Sequence, residues 1–246
     1  MDETVCQFVM LIWVIFLLQT HKMMKSATKI SALIYKVFPV LLLLVLKLNP
    51  ASAQTDWKLV TDKEGIKIYT GMVPDSKVKA IKVECDLDAT PSQLVSLIMD
   101  VKSSTDWVYH TKSAAVVKQV SASELYYYSE VNLPWPAANR DFVAHLIVSQ
   151  NPDTKVVTIQ GPAVPGLVPT KKGVVRIDHS DGKWIITPTG TDEVKVVYTI
   201  HVDPGGSLPS WLVNMFVAEG PLHIFRNLKA ELQKPAYKNS DLVAAQ

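Results

Sequence analysis

The chain reads as an α+β fold, an antiparallel sheet followed by one long C-terminal helix, and three observations predict it. Between Trp57 and Val202, short segments alternate apolar and polar residues, as in Lys79-Ala80-Ile81-Lys82-Val83-Glu84-Cys85-Asp86-Leu87, the pattern of strands with one wet face. Their separators, Asn151-Pro152-Asp153, Asp181-Gly182 and Gly190-Thr191-Asp192, are as short as hairpins require and too short for parallel crossovers. Finally, Asp203-Pro204-Gly205-Gly206-Ser207-Leu208-Pro209 stops the last strand and sets a proline for the first turn of a helix over about 210–233.

The sheet begins only after a leader. Lys25, Lys29 and Lys36 precede the apolar run 37–46, which ends in Asn49-Pro50-Ala51-Ser52-Ala53. That is the order of a secretory signal: a basic region, a short apolar region, and small residues before a cut. The expected division is a signal peptide over 1–53 and one domain over 54–246, giving an exported protein, periplasmic or secreted. An anchor left uncleaved is the alternative, although the run falls short of the roughly 20 residues that span a bilayer. An earlier apolar run, 8–18, has Asp2 and Glu3 in place of a basic flank, so Met23 or Met24 is an alternative start.

Composition bounds the partners. The 246 residues, 48% of them hydrophobic, suffice for a full core. The leader holds Lys22, Lys25, Lys29, Lys36 and Lys47 against Asp2 and Glu3, so of 25 basic and 23 acidic residues 20 and 21 remain after cleavage. A balance so close to neutral argues against nucleic-acid binding through a basic face. Cys6 leaves with the leader, and Cys85 then has no partner for an intrachain disulfide.

Taken in order, strands are expected at 57–60, 66–70 and 78–87. Asp88-Ala89-Thr90-Pro91 then caps a short helix over 92–101 whose Leu94, Val95, Leu97, Ile98 and Val101 form a broad apolar face. Further strands follow at 114–120, 124–133, 140–150, 154–160, 173–179, 183–188 and 194–202. Two connections differ from the rest, Pro134-Trp135-Pro136-Ala137-Ala138-Asn139 and the apolar, proline-rich stretch 162–170. Apolar loop tips point to contact with the long helix, a ligand or a membrane surface.

The long helix carries Trp211, Met215, Ala218, Leu222, Phe225 and Leu232 in steps of three and four, interrupted only by Lys229. Its first half adds Leu212, Val213, Phe216 and Val217 and is apolar nearly all round. Its second half is amphipathic, with Arg226, Lys229, Glu231 and Lys234, and a short polar tail follows from about 235. Pro221 cannot donate to the carbonyl of Val217, so the helix is expected to bend or flex at Gly220-Pro221. A core helix packed on a sheet and a helix that closes a lipid-sized cavity both fit this stripe.

Several blocks together resemble a known family. Tyr128-Ser129-Glu130-Val131, Pro134-Trp135-Pro136, Asn139-Arg140-Asp141-Phe142-Val143, Gly173-Val174-Val175-Arg176 and 203–212 look like the signature blocks of steroidogenic-acute-regulatory-related lipid-transfer (START) domains, and the phosphatidylcholine carriers look closest. The resemblance spans about 57–233. It implies a helix-grip fold: a curved antiparallel sheet of about nine strands wrapped around the C-terminal helix, with a lipid tunnel between them. No cofactor and no metal are expected, and the expected state is a monomer that touches membranes transiently.

A hairpin of 124–133 with 140–150, its turn centred near Pro136, would pair Glu130 with Phe142 and Tyr126 with Leu146. Tyr126, Tyr128, Glu130, Arg140, Phe142 and Leu146 would then share the cavity face, joined by Trp211, Leu212, Met215 and Phe216 from the helix. Val164, Pro165 and Leu167, opposite the Gly220-Pro221 hinge, are the candidates for a gate. In family members the glutamate matching Glu130 pairs with an arginine whose position here holds Leu146. Glu130 would therefore be protonated or held by Arg140, while Arg140 is also a candidate for a lipid phosphate or for pairing with Asp141.

Catalysis has a thinner basis. His110, His145, His179, His201 and His223 show no metal-ligand spacing, and neither a Gly-x-Ser-x-Gly elbow nor a phosphate-cradling loop is present. A Glu130 of raised pKa could serve a helix-grip cyclase or hydrolase as acid or base. The principal expectation is binding of a single lipid or other hydrophobic small molecule; an enzyme and a ligand-gated interaction module are the alternatives.

Overall fold

The protein is described by a computed structural model over residues 55–240, except 75, 77, 207 and 239. The leader, its cleavage site and the export inferred from them lie outside the described residues. Ten strands form one sheet: β1 (Trp57–Lys63), β2 (Ile66–Met72), β3 (Lys79–Leu87), β4 (Thr111–Ser121), β5 (Glu124–Val131), β6 (Asn139–Gln150), β7 (Val157–Gln160), β8 (Val174–Arg176), β9 (His179–Pro188) and β10 (Val194–Asp203). Nine lie on one path, in the order β1-β2-β3-β10-β9-β7-β6-β5-β4. The sheet is not closed, and β1 and β4 are its edges. β4 breaks register with β5 at three places, between Thr111 and Ser113, Val116 and Lys118, and Gln119 and Ser121.

One pairing departs from the all-antiparallel expectation. β8 runs parallel to β6, with Asn139 beside Val174 and Asp141 beside Arg176. The long loop 161–173 carries the chain back to the start of β6, which no short hairpin link could do.

Alternation along the strands sends one face of the sheet inward. Ile66, Ile68, Val83, Cys85, Val196, Ile186, Ile159, Val148 and Leu125 are all buried in one cluster with Leu222, Phe225 and Leu228 of the C-terminal helix. Burying side chains of this size stabilises by about 1.5–3 kcal/mol each. Below the sheet, α1 (Pro91–Met99) starts at Thr90 in a full capping box: Gln93 N donates to Thr90 Oγ1 and Thr90 N donates to Gln93 Oε1. Its Leu94, Val95, Leu97 and Ile98 enter the same core. A 3₁₀ turn, Val101–Ser103, and a short α2 (Ser104–Trp107) lead into β4.

The C-terminal helix has three parts: α3 (Ser210–Asn214), a π-helical turn (Met215–Glu219) and α4 (Gly220–Glu231). The stretch after Gln233, read from sequence as a polar tail, starts with a further helical turn, α5 (Pro235–Lys238). Its Tyr237 is buried and donates to Asp100 Oδ2 at 2.8 Å.

Candidate functional site

The β5–β6 hairpin decides which side chains face the core, and its register differs by one residue from the expected one. Glu130 pairs with Asp141, Ser129 with Phe142, and Leu125 with Leu146. The turn is centred on the Trp135–Pro136 bond, half a residue before the expected centre, and a shift of one in pairing moves a strand's side chains to the opposite face. The inner face consequently carries Leu125, Tyr127, Ser129, Phe142, Ala144 and Leu146, with Arg140 at its end. Tyr126, Tyr128 and Glu130 lie on the outer face with Asp141, Val143 and His145. Tyr126 stacks on His145 with ring centroids 4.1 Å apart, and His145 Nε2 lies 2.8 Å from Glu124 Oε1.

Glu130 is thus not a cavity carboxylate. It is buried against the outer side, where Lys112 and Lys171 donate to its two oxygens at 2.8 and 3.0 Å and Asn139 donates at 3.0 Å. The bonds from Lys112 and Asn139 and the approach of Lys171 hold the carboxyl down at about 2. Neither the protonated acid nor the pairing with Arg140 expected from sequence is realised. Asp141 is taken as well: Arg176 grips it with Nε and Nη2 at 2.7 and 3.1 Å, and this ion pair is almost fully buried. The Tyr128 hydroxyl sits between both carboxylates, 3.3 Å from Glu130 and 3.1 Å from Asp141.

Arg140 is buried on three carbonyls: Nη1 donates to Ala138 O at 2.6 Å, Nε to Pro204 O at 3.2 Å and Nη2 to Gly205 O at 3.1 Å. Among the described residues it has no carboxylate partner, and burial lowers its pKa from the usual guanidinium value. Gly205 and Gly206 both have positive φ, 66° and 64°, a conformation that residues with a Cβ seldom adopt in succession. This is the physical content of the Pro-Gly-Gly motif. It turns backbone carbonyls toward the guanidinium, which ties the β5–β6 loop to the entry of the long helix.

The same end of the sheet bears apolar side chains without cover. Trp135 is 90% exposed, Trp211 51% and Leu167 48%, and Val213 is exposed beside them in α3. Leu212 is fully buried, and Met215 and Phe216 are half-buried. The loop with Val164, Pro165 and Leu167 is held at both ends. Val164 N donates to Val143 O, and Arg176 donates to the carbonyls of Val168 and Pro169. Its exposed residues include Pro165 to Leu167 at the tip and, past Val168, Pro169 and Thr170.

At the expected hinge the helix widens: Gly220 N donates to Met215 O, a five-residue step in place of four. Pro221 lies just beyond, inside α4. Gly220 also makes room for packing, since a Cβ there would stand 3.2 Å from Tyr109 Cδ1. Tyr109 in turn stacks on His223 at 5.2 Å and meets Phe216 edge-on at 5.8 Å. Sequence reading missed Tyr109, Tyr127 and Tyr198 as neighbours of the helix and inner face. The consecutive tyrosines 126, 127 and 128 present a candidate to each face, so only the register could choose between them.

An open antiparallel sheet whose inner face grips a long C-terminal helix defines an α+β helix-grip protein. The family model for the START domain matches residues 42–238, and the chain belongs to that family. It is 35% identical to a Pseudomonas aeruginosa protein over 73% of this chain and 88% of that one. It is 28% identical to the human phosphatidylcholine transfer protein over 75% of this chain and 87% of the relative. The crystal structure of a STAR-related lipid transfer protein fragment from Xanthomonas axonopodis superposes with a TM-score of 0.66 at 33% identity, covering 72% of this chain and 99% of the fragment.

Proposed function

We propose that the protein binds one lipid between the inner face of its sheet and the C-terminal helix, and carries it as a monomer between membranes. The observation that carries this reading is the set of uncovered apolar side chains, Trp135 in the β5–β6 turn, Leu167 in the loop 161–173, and Trp211 and Val213 in the first turn of the helix. An apolar rim of this kind suits the interface of a bilayer, where tryptophan partitions readily. The apolar inner face behind it suits acyl chains, each buried methylene contributing roughly 0.8 kcal/mol. The family's lipid-transfer relatives support the same reading. Arg140, whose guanidinium has five N–H donors of which three are committed, is a candidate for an anionic headgroup at the entrance.

The test is transfer of fluorescent phosphatidylcholine between donor and acceptor vesicles, together with mass spectrometry of lipid that co-purifies with the protein. Stoichiometric lipid and catalysed transfer are expected. Replacing Trp135 and Trp211 by alanine together should slow transfer at least tenfold while leaving the thermal midpoint in place. Unchanged transfer in that variant would remove the membrane role of the rim.

A further inference from the structure

Two inner-face tyrosines have no role in the account above. Tyr127 of β5 lies opposite Ala144, and Tyr198 of β10 lies between Trp184 of β9 and Val83 of β3. Both rings are set among aromatic neighbours. Tyr127 meets Phe142 edge-on at 5.7 Å, and Tyr198 lies 4.2 Å from Trp184 and 6.2 Å from Phe225 of α4.

Their hydroxyls are unpaired among the described residues, where the tyrosine hydroxyls that donate to carboxylates belong to Tyr69, Tyr128 and Tyr237. The one fully covered side-chain polar atom left without a partner there is Trp107 Nε1. The oxygens of Tyr127 and Tyr198 are therefore not sealed by neighbouring atoms, and both side chains keep part of their surface uncovered.

The floor between them is small. A Cβ at Gly182 would lie 3.9 Å from the Tyr198 oxygen, and one at Gly161 would lie 3.1 Å from Leu146 Cδ2. The Tyr198 hydroxyl thus reaches across β9 toward β6, the strand that carries Ala144 beneath Tyr127. Burial pushes Tyr127 up to about 12 and raises Tyr198 as well, with charge on Tyr127 adding to the latter. Both phenols remain protonated at neutral pH. A hydroxyl in apolar surroundings without a partner is costly, and phenylalanine would keep the same ring contacts without that cost.

We propose that Tyr127 and Tyr198 form a hydrogen-bonding subsite on the inner face that donates to an ester carbonyl of the bound lipid. The inference rests on the lipid-carrier reading and adds the ligand class, an acyl ester as opposed to a hydrocarbon or an ether lipid. A carbonyl oxygen only accepts and has two lone pairs, which matches two neutral donors. A carboxylate or phosphate would instead demand a cation, such as Arg140 at the entrance.

The experiment titrates the full chain with dioleoylglycerol and with its diether analogue, which has the same chains and hydroxyl but no carbonyl, by displacement of a fluorescent phosphatidylcholine. The wild type should prefer the diester by about tenfold, the scale of one to two hydrogen bonds. Tyr127→Phe and Tyr198→Phe should each weaken the diester about three- to tenfold, leave the diether unchanged, and keep or raise the thermal midpoint of the ligand-free protein. The double variant should show no preference. The infrared band of a ¹³C-labelled carbonyl should lie lower in the wild-type complex than in the double variant, a readout that ring packing does not move. Equal affinity for both lipids, or a loss in the variants shared equally by both, would overturn the subsite and leave the carrier reading intact. Failure of either glycerolipid to displace the bound phosphatidylcholine would overturn the subsite alone, and failure of the fluorescent phosphatidylcholine itself to bind would overturn both.

Discussion

Arg140 and Glu130 stand one residue out of step across the β5–β6 hairpin, and that offset separates their chemistry. Arg140 faces inward onto the carbonyls of Ala138, Pro204 and Gly205, whereas Glu130 faces outward onto Lys112, Asn139 and Lys171. They share no partner, so Arg140→Met and Glu130→Gln should destabilise additively within about 0.5 kcal/mol in a double-mutant cycle. Arg140→Met alone should cost roughly 2–4 kcal/mol in denaturant melts, because it strips a charged donor from three carbonyls. The Glu130 carboxyl lies at about 2, down from 4.5. Its contribution is fully present above about pH 4.5 and is lost as pH falls toward 2, since the unfolded chain takes up the proton first. The thermal midpoint of the wild type should therefore fall more steeply with acid over that window than that of Glu130→Gln. Parallel curves would mean that the three partners leave this carboxyl unperturbed.

Among the elements, the long helix was the most legible from sequence and the hairpin the least. Proline, two glycines and a second proline mark the strand-to-helix change without help from tertiary contacts, and the stripe through Leu222 and Phe225 is the face found buried. Register was not legible, because a period of two leaves both faces of Tyr126-Tyr127-Tyr128 plausible and the choice depends on half a residue at the turn. The parallel β8 was hidden for a related reason: nothing local in Val174-Val175-Arg176 names β6 as its neighbour. An irregularity near Pro221 was readable, but not the π-helical turn that precedes it, whose closing Gly220 lies close against Tyr109. Such turns recur at functional sites. If this one lets α3 swing, Pro221→Ala should slow vesicle transfer several-fold and raise amide-exchange protection over 212–219, by restoring a backbone donor. Unchanged exchange and transfer would leave the π turn as static architecture.

For the whole molecule, the apolar end and the opposite, polar end give the domain a direction. The far end is fastened by charge, with Arg226 bonded to Glu64 and Lys229 Nζ donating to Glu64 O at 3.2 Å. Near the helix entry the fastening is Arg140 on the carbonyls of Pro204 and Gly205, ahead of a first turn that exposes Trp211 and Val213, so opening should begin in that turn. Apolar burial should also make affinity rise with acyl chain length until the inner face is filled, measured with a graded series of phosphatidylcholines. A flat series would contradict a ligand held by its chains.

The irregular β4 bears on how this protein survives at high concentration. An edge strand carrying exposed Val116, Val117 and Val120 is a template for runaway strand-to-strand stacking between molecules. Its three breaks in register deny any newcomer a regular ladder of donors and acceptors, and Lys112 and Lys118 add charge along the same border. Deleting Val117 to straighten the strand should leave the fold intact yet lower the concentration at which the protein comes out of solution.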